Sequence, residues 1–373
     1  EIQLMRDKHG NAVHLGERDC SIQRRHQKLL EECPSPGLDP LMREAMGKAA
    51  LLAAEAVGYD NVGTVEFLVQ NDEFYFLEMN TRVQVEHPVT EEVTGIDIVR
   101  TGIRIAAGEK LPFSQKDIAL RGHAIEVRVN AEHAANGFVP SPGTVTVYEE
   151  PGGPGVRVDS ALRGPGVVPE SYDPLFAKLI VRGADREDAL GRLRRALKEF
   201  RIEGVATTLP FFEAVLDDEI FVEGSYTTGF VAERLGKLKI EASPVGEGVG
   251  GPPEKASQEV EVEVNGKLFR VKVYADEVVG QGGTKAPPTR RRGRERRRRA
   301  AIAEGTVMAP MQGTIVKVFV EEGQEVAVGD PVCLLEAMKM ESEIQAKRDG
   351  IVSEVLVEAG KTVRSGDPLV VLK

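Results

Sequence analysis

The chain has 373 residues, of which 41% are hydrophobic, and a formal net charge of −11. This length has room for two or three domains, and the negative charge argues against a dedicated nucleic-acid-binding protein. Cys20, Cys33 and Cys333 are too few and too scattered for a disulfide framework or a zinc site, which favours a reducing cytoplasm. No apolar run reaches membrane-spanning length, so we expect a cytoplasmic protein with no membrane partner.

The first residues, 1–4, have the pattern of a strand entered in its middle, from which we expect an N-terminally truncated or split protein. Asp39 followed by Pro40 is typical of a helix N-cap and first helical position. The Ala-rich stretch 41–57 therefore predicts a helix, and Gly58 is a good stop signal for it.

Two strands are predicted next, residues 62–70 and 74–85, joined around residues 71–73. Apolar residues then recur at helical spacing, namely Leu190, Leu193, Leu197 and Phe200. A Gly- and Pro-rich stretch at 241–258 predicts a flexible linker. After it, valines alternate with glutamates up to Asn265-Gly266, which strongly indicates a β-hairpin.

Residues 281–301 are again linker-like and hold eight arginines between Arg290 and Arg299. The run fits a solvated arm. Docking onto an acidic partner or nucleic acid is the alternative.

The densest chemistry lies in residues 76–88. If this run is extended, alternate side chains share a face. One face then carries Glu78, Asn80, Arg82, Gln84 and Glu86, while Leu77, Met79, Val83 and Val85 face a core. An ordinary half-exposed strand gives the same alternation. Two carboxylates, two amides and an arginine can, however, bind a hard cation at one end and an oxyanion at the other.

Glu66 adds a third carboxylate if the loop between the two strands has the right parity. A three-residue loop at 71–73 pairs position 66 with position 78, with Cβ atoms about 5 Å apart on one face. A two-residue loop pairs 66 with 77 instead. A shared Mg²⁺ therefore predicts that the Glu66 and Glu78 side chains project from the same face.

The C-terminal part contains an internal repeat of 37 residues. Gly313, Gly323, Gly329, Asp330 and Pro331 recur as Gly350, Gly360, Gly366, Asp367 and Pro368. Short alternating strands with Gly and Gly-Asp-Pro turns predict a small two-fold β-sandwich. Lys339 falls between the two copies, where a connecting hairpin would expose it beside Met338 and Met340.

The motif Ala337-Met338-Lys339-Met340 resembles the attachment signature of the biotinyl (biotin carboxyl carrier) domain. The related lipoyl domain usually has Asp-Lys-Ala around its lysine, so the methionines favour biotin attached covalently to Lys339. In such a carrier the protein supplies position and reach while the cofactor supplies the chemistry.

Residues 1–238 are similar to the biotin carboxylase branch of the ATP-grasp family. The resemblance lies in long runs, at residues 17–28, 78–88, 122–132 and 140–143. It implies an α+β multidomain fold that ends in a small all-β barrel-sandwich. The expected segments are a C-terminal part of an ATP-grasp domain (1–110), a biotin carboxylase C-terminal domain (111–238), a linker (239–258), a hairpin (259–280), an Arg-rich linker (281–301) and a biotinyl domain (302–373).

The resemblance also implies residue roles in forming carboxyphosphate from ATP and bicarbonate and then carboxylating biotin at N1′. Magnesium or manganese ions would be held by Glu66, Glu78 and Asn80. Bicarbonate would be bound by Arg82, Lys28 and the backbone at Gln84 and Val85. Glu86 would be the general base, and Arg128 would stabilise the biotin enolate. ATP would lie along Gln23, His26, Gln27 and Val205.

In that family the glycine-rich loop and the lysines that grip ATP lie upstream of the matching region. We therefore expect the 373 residues alone to bind ATP weakly and to carboxylate nothing. The domain order resembles the α subunits of bacterial acyl-CoA carboxylases, such as acetyl- or propionyl-CoA carboxylase. It implies biotin protein ligase and a carboxyltransferase β subunit as partners, with a homodimer or a larger hetero-oligomer.

Three alternatives remain at this point. The chain could be a pyruvate carboxylase subunit, which only the partner would distinguish. It could be a biotin carrier with an inactive carboxylase remnant. A lipoyl carrier of a dehydrogenase complex is disfavoured by the methionines beside Lys339.

Overall fold

The computed structural model describes residues 1–241, 256–264, 267–275, 306–310, 312–337, 340–364 and 366–373. These residues form two compact units, residues 1–168 with 174–241 and residues 169–173 with those from 256 onward. Lys339, the turn Asn265-Gly266, the arginines of 290–299 and most of the predicted linkers lie outside the described residues.

The first unit is α+β. Its strands are β1 (Ile2–Arg6), β2 (Ala12–Glu17), β3 (Asp19–Arg24), β4 (Gln27–Cys33), β5 (Asn61–Gln70), β6 (Glu73–Asn80), β7 (His123–Asn130), β8 (Glu132–His133), β9 (Val139–Pro140), β10 (Gly143–Val145), β11 (Val147–Glu149), β12 (Val156–Ser160), β13 (Gly166–Val168), β14 (Leu175–Gly183) and β15 (Arg201–Glu203). Its helices are α1 (Pro40–Ala56), α2 (His87–Thr94), α3 (Ile98–Ala106), α4 (Arg186–Glu199), α5 (Leu209–Leu216), α6 (Glu219–Glu223) and α7 (Phe230–Arg234).

A four-stranded sheet, in the order β2-β1-β5-β6, carries a helix on each face. Met46 and Ala50 of α1 pack with Leu4 of β1, whereas Ile98 of α3 packs with Met5. Because neighbouring residues of a strand project to opposite faces, the two helices cover opposite sides. Helix α1 begins as the sequence predicted.

The N-terminus of α1 shows why that prediction succeeded. The Asp39 side chain accepts hydrogen bonds from the backbone N–H groups of Leu41 and Met42, and Pro40 opens the first turn. The backbone of Gly58, just after the helix, has φ 64°, which glycine adopts without strain. Cap, proline and glycine together fix both ends of this helix.

The second large sheet has the order β12-β14-β7-β4-β3. Helix α4 packs on it through Leu190, Leu193 and Leu197, which confirms the predicted helical spacing. The same core includes Phe211 and Phe212 of α5. This sheet therefore supplies a rigid base on which β4 and β7 hold polar side chains.

All of the regular secondary structure described in the second unit consists of β-strands. They are β16 (Ala256–Val264), β17 (Lys267–Ala275), β18 (Thr306–Met308), β19 (Gly313–Val318), β20 (Glu325–Val326), β21 (Pro331–Ala337), β22 (Met340–Gln345), β23 (Gly350–Val355), β24 (Thr362–Val363) and β25 (Pro368–Leu372). β16 and β17 pair antiparallel, which confirms the predicted hairpin strands.

The internal repeat is visible strand by strand. β19, β20 and β21 begin at residues 313, 325 and 331, and β23, β24 and β25 begin 37 residues later, at 350, 362 and 368. They form two four-stranded sheets, in the orders β18-β25-β23-β20 and β22-β21-β19-β24. The predicted two-fold β-sandwich is thus confirmed, with an apolar core between the copies.

None of the helices in the described residues has the length and apolar content that crossing a membrane would need.

A buried carboxylate ties the elements of the five-stranded sheet together. Glu32 of β4 accepts hydrogen bonds from Arg186 at 2.7 and 3.0 Å, from the Tyr226 hydroxyl at 2.5 Å and from His123 at 2.5 Å. Burial by itself would raise the pKa of Glu32, but the hydrogen bonds from His123 and Arg186 outweigh it and the pKa is lowered. The folded protein therefore holds the Glu32 carboxyl group in its ionised form.

We expect Glu32→Gln to lower the free energy of unfolding of this unit by about 3 kcal/mol, because it leaves the Arg186 charge without its buried partner. A lowered folded-state pKa stabilises above the unfolded-state pKa, so the difference from wild type shrinks as the pH falls through the carboxyl range. Urea unfolding at several pH values measures both effects. Glu109→Gln, which removes an exposed ion pair with Arg104, is the control, and an equal effect of the two substitutions would contradict the prediction.

Candidate active site

Glu66 and Glu78 lie directly opposite each other on β5 and β6, so the predicted pairing is confirmed. The loop argument behind it is wrong. The loop has two residues, 71–72, both with positive φ, a conformation that Asn and Asp tolerate in hairpin turns. A β-bulge restores the parity, because the next paired residues along the hairpin are Phe67 and Phe76.

The predicted extended run is wrong beyond Asn80, where β6 ends. Residues 81–86 are irregular and α2 begins at His87. Pro88 explains the change, because proline suits the first turn of a helix and interrupts a strand ladder.

The predicted division into a polar and an apolar face also fails, within β6 at the bulge and beyond Asn80 where the strand ends. Leu77 is 50% exposed and Val83 is 38% exposed, although both were predicted to face a core. Gln84 and Glu86 are buried. The segment after Asn80 turns inward. It brings Glu86 against Lys28 and Arg128 of the five-stranded sheet, and it brings Gln84 within 2.9 Å of Glu66 on β5.

Lys28 of β4 is the centre of the site. Its ammonium donates to Glu66 at 2.9 Å and to Glu86 at 2.7 Å, and it also bonds the Glu1 carboxylate. Burial alone would lower the pKa of Lys28, but the neighbouring Cys20, Glu1 and Glu86 raise it above its usual value. The ammonium is therefore charged throughout the neutral range.

The three residues predicted to hold metal ions lie together. The Asn80 amide donates to Glu66 at 3.1 Å and to Glu78 at 3.0 Å. Glu78 is exposed and forms no ion pair within residues 1–241. Two carboxylates and an amide oxygen are the hard donors that Mg²⁺ prefers, so the side chains fit this ion.

Glu86 lies between two cations. Besides Lys28, Arg128 of β7 donates to it at 3.0 Å. The neighbouring Val85 carbonyl accepts from Lys178 at 2.8 Å. A buried carboxylate with a guanidinium and an ammonium on either side is suited to exchange a proton with an anion bound next to it.

The other predicted residues lie outside this cluster or at its rim. Arg82 is exposed and donates to the Asn80 side chain at 3.2 Å. Gln23 faces Lys28 across the β3–β4 hairpin. His26, with φ 65°, and Gln27 are exposed at the turn of that hairpin. Val205, predicted to lie near the adenine, is 1% exposed in the core of the first unit.

Two residues of the cluster were missed by the sequence reasoning. Arg18 is 1% exposed and donates to Glu1 at 2.6 Å and to Gln84 at 3.1 Å, as well as to Gln3, Thr64 and Thr90. Arg18 lies within the run 17–28 but was given no role there, and Glu1 lies in no motif, so only the fold shows that the two meet at this site.

Within the described residues, one group of possible metal-binding side chains combines Glu1, Cys20 and Glu86, with ligand atoms within 4.8 Å of one another. The Lys28 ammonium already bonds both of these carboxylates. The Lys28 charge would repel a metal cation at this position. Burial, together with the charge of Glu1, also keeps the pKa of the Cys20 thiol well above its usual value, and a protonated thiol is not a metal ligand.

Three family models match the chain. Residues 1–114 match the carbamoyl-phosphate synthase L chain ATP-binding domain, residues 126–233 the biotin carboxylase C-terminal domain, and residues 305–372 the biotin-requiring enzyme family. The first of these matches supports an ATP site in the first unit, and the last supports covalent biotin in the second. The α+β fold that ends in an all-β region is as predicted.

A pyruvate carboxylase component of Methanothermobacter thermautotrophicus is 56% identical over 233 residues, which are 62% of this chain and 48% of that protein. The biotin-dependent acyl-coenzyme A carboxylase alpha3 subunit of Mycobacterium leprae is 44% identical over 358 residues, 92% of this chain and 59% of that one. The chain thus spans about half the length of the curated relatives it matches.

Among solved structures, the biotin carboxylase domain of a thermophilic 2-oxoglutarate carboxylase bound to bicarbonate is similar with a TM-score of 0.61. It is 49% identical and covers 62% of this chain and 53% of its own. Identity at this level supports the fold of the first unit.

We expect Lys28→Met to lower the free energy of unfolding by about 3 kcal/mol at neutral pH, because it leaves buried carboxylates without their common cation. The loss should shrink in acid, where those carboxylates take up protons. Urea unfolding measures it. Lys48→Met is the matched control, since Lys48 pairs with Glu44 on the surface and should cost less than about 1 kcal/mol. Equal losses for the two variants would contradict the central role of Lys28.

Proposed function

Because the chain belongs to the biotin-dependent carboxylases, we propose that it forms the biotin carboxylase and biotin carboxyl carrier part of an acyl-CoA carboxylase. The main support is the relative that is 44% identical across 92% of the chain, because the match spans both the charged site and the carrier region. The domain limits given by the sequence reasoning, with the carrier at 302–373, are part of this proposal.

The proposed reaction transfers the γ-phosphoryl group of ATP to bicarbonate and then carboxylates N1′ of biotin. Glu86 takes the bicarbonate proton, and its position between Lys28 and Arg128 supports this role. Lys28, Arg82 and the backbone at Gln84–Val85 bind the anion. In this role Arg82 leaves its contact with the Asn80 side chain.

Glu66, Glu78 and Asn80 would hold Mg²⁺, which would neutralise charge on the ATP phosphates. Arg128 stabilises negative charge that develops on biotin during the transfer. The remaining nucleotide contacts are assigned to Gln23, His26 and Gln27, which lie on the β3–β4 hairpin that carries Lys28. Val205 is buried in the core, so its side chain does not make the predicted adenine contact.

The carrier role belongs to Lys339, which follows β21 and precedes β22. These two strands pair antiparallel with Ala337 opposite Met340. Biotin protein ligase would attach the biotin, and a carboxyltransferase β subunit would receive the carboxyl group. We place the assembly in the cytoplasm as a homodimer or a larger hetero-oligomer. A pyruvate carboxylase is the second candidate, because a component of such an enzyme is 56% identical over the first unit.

We expect the protein to form ADP from ATP only when bicarbonate is present and to fix labelled bicarbonate onto free biotin. Because the chain spans only about half the length of the relatives it matches, the assay uses the complete gene product. Glu86→Gln should reduce the rate about 10²- to 10⁴-fold, as loss of a general base does. Glu109→Gln, an exposed residue, should retain the rate. Biotin carboxylation that survives Glu86→Gln would refute the assigned base.

Coexpression with biotin protein ligase should add the mass of one biotinyl group to the chain, measured as intact mass. Lys339→Ala should abolish the addition, because no other amine occupies the recognised motif. Lys347→Ala, a lysine of the same region, should leave it intact. A lipoyl mass, or a biotinyl mass that persists in Lys339→Ala, would contradict the assignment.

A further inference from the structure

Two buried glutamates, Glu31 of β4 and Glu126 of β7, lie opposite each other in the five-stranded sheet. Both are 0% exposed. Glu126 and Arg128 are two residues apart on β7, so they project from the same face as Glu31. Burying two acids side by side is costly unless they are paired or uncharged, and neither residue has a role in the proposed reaction.

Glu31 bonds the Nε and Nη2 edge of the Arg128 guanidinium, next to the contact with Glu86. One Glu31 oxygen accepts from Nε of Arg128 at 2.7 Å and lies 2.6 Å from Nη2. The same Nη2 donates to Glu86 at 3.0 Å. Because a guanidinium is a planar fork with fixed donor directions, two carboxylates that together bond Nε and Nη2 restrict its orientation.

We propose that the Glu31–Glu126 pair positions Arg128 for its action on biotin, Glu31 as the charged holder and Glu126 as its uncharged neighbour. The inference rests on the proposed function, since it gives Arg128 an orientation for that reaction. Glu31 and Glu126 are positioning residues, because neither contacts the reacting atoms.

The surroundings of Glu126 support the uncharged form. Within the described residues, neither of its carboxyl oxygens has a hydrogen-bond partner. Burial and then the charge of Glu31 raise the pKa of Glu126 well above its usual value, although Lys178 and Arg128 act in the opposite direction. Lys178 instead donates to the Val85 carbonyl.

An uncharged Glu126 also explains the geometry of Arg128. A second carboxylate on this face would compete with Glu31 and Glu86 for the guanidinium. With Glu126 neutral, Glu31 and Glu86 are the two charged carboxylates that bond the guanidinium. Burial raises the pKa of Glu31 to about 7 even though Arg128 lowers it. Glu31 is therefore charged on the alkaline side of neutrality, and the activity assays are run at that pH.

The test measures two rates in the complete gene product, biotin carboxylation and the bicarbonate-dependent ATP hydrolysis that occurs without biotin. Glu31→Gln keeps the shape of the side chain and removes its charge. Since misplacing a catalytic group can cost about 10²-fold, we expect biotin carboxylation to fall about 10- to 100-fold. ATP hydrolysis without biotin should fall much less. Equal losses of the two rates would overturn the proposal.

Glu17→Gln is the matched control. Glu17 is also 0% exposed and accepts from an arginine, Arg43, at 2.5 and 2.8 Å, but it lies outside the charged site. This variant should lose stability while the ratio of the two rates stays unchanged. A ratio that falls as far as in Glu31→Gln would show that any buried acid has this effect and would overturn the proposal.

A double-mutant cycle asks whether Glu31 acts through Arg128. In an Arg128→Met background, Glu31→Gln should change biotin carboxylation less than about 2-fold, because the group that it positions is gone. The full 10- to 100-fold effect in that background would refute the mechanism.

If circular dichroism shows that Glu31→Gln does not fold, Glu31→Asp replaces it. This variant keeps the charge but withdraws the carboxylate, and unchanged biotin carboxylation would again refute the proposal.

The infrared difference spectrum between wild type and Glu126→Gln tests the uncharged neighbour. We expect the variant to lose a protonated-carboxyl band at neutral pH. Loss of a carboxylate band instead would contradict the uncharged state of Glu126. A wild-type protein without ATP-, bicarbonate- and biotin-dependent activity would refute the proposed function and this inference together. An active wild type with an unaffected Glu31→Gln would refute this inference alone.

Discussion

The arrangement of the first unit depends on one desolvated ammonium that faces several carboxylates. Lys28 belongs to the five-stranded sheet, Glu66 to the four-stranded sheet, and Glu86 to the segment that follows β6. An uncompensated charge in a protein interior costs several kcal/mol. None of these three elements can move away from the others without leaving a charge unpaired, so the ammonium fixes how the two sheets of this unit meet.

The same constraint produces an alternating series of charges, Glu66, Lys28, Glu86, Arg128 and Glu31, in which each member bonds the next. Every interior member has a neighbour of opposite charge on both sides, and two partners determine its orientation. Such a series resists reorientation because moving one member unpairs two contacts. A site of this kind is organised before substrate arrives, which is the condition under which fixed charges assist a reaction most.

Local signals in the sequence were enough for features that local chemistry determines. Asp39, Pro40 and Gly58 set the ends of α1, and the 37-residue repeat predicted the sandwich. The pairing of Glu66 with Glu78 was predicted although its explanation was wrong, because a bulge compensated for the short loop. Bulges have no reliable sequence signal, whereas Pro88 did signal a helix start soon after Asn80.

The residues that the sequence did not reveal are those whose environment is set by tertiary structure. Glu126 stands between Ile125 and Val127, a pattern typical of a strand with one wet face, and Glu31 stands beside another acid, yet both are fully buried. In the second unit, by contrast, no polar side chain among those described is buried, and its core is apolar. Turn glycines and alternation therefore suffice to predict a carrier-like sandwich. A site made of buried charges cannot be predicted in this way, because only the tertiary structure shows which acidic side chain lies beside which basic one.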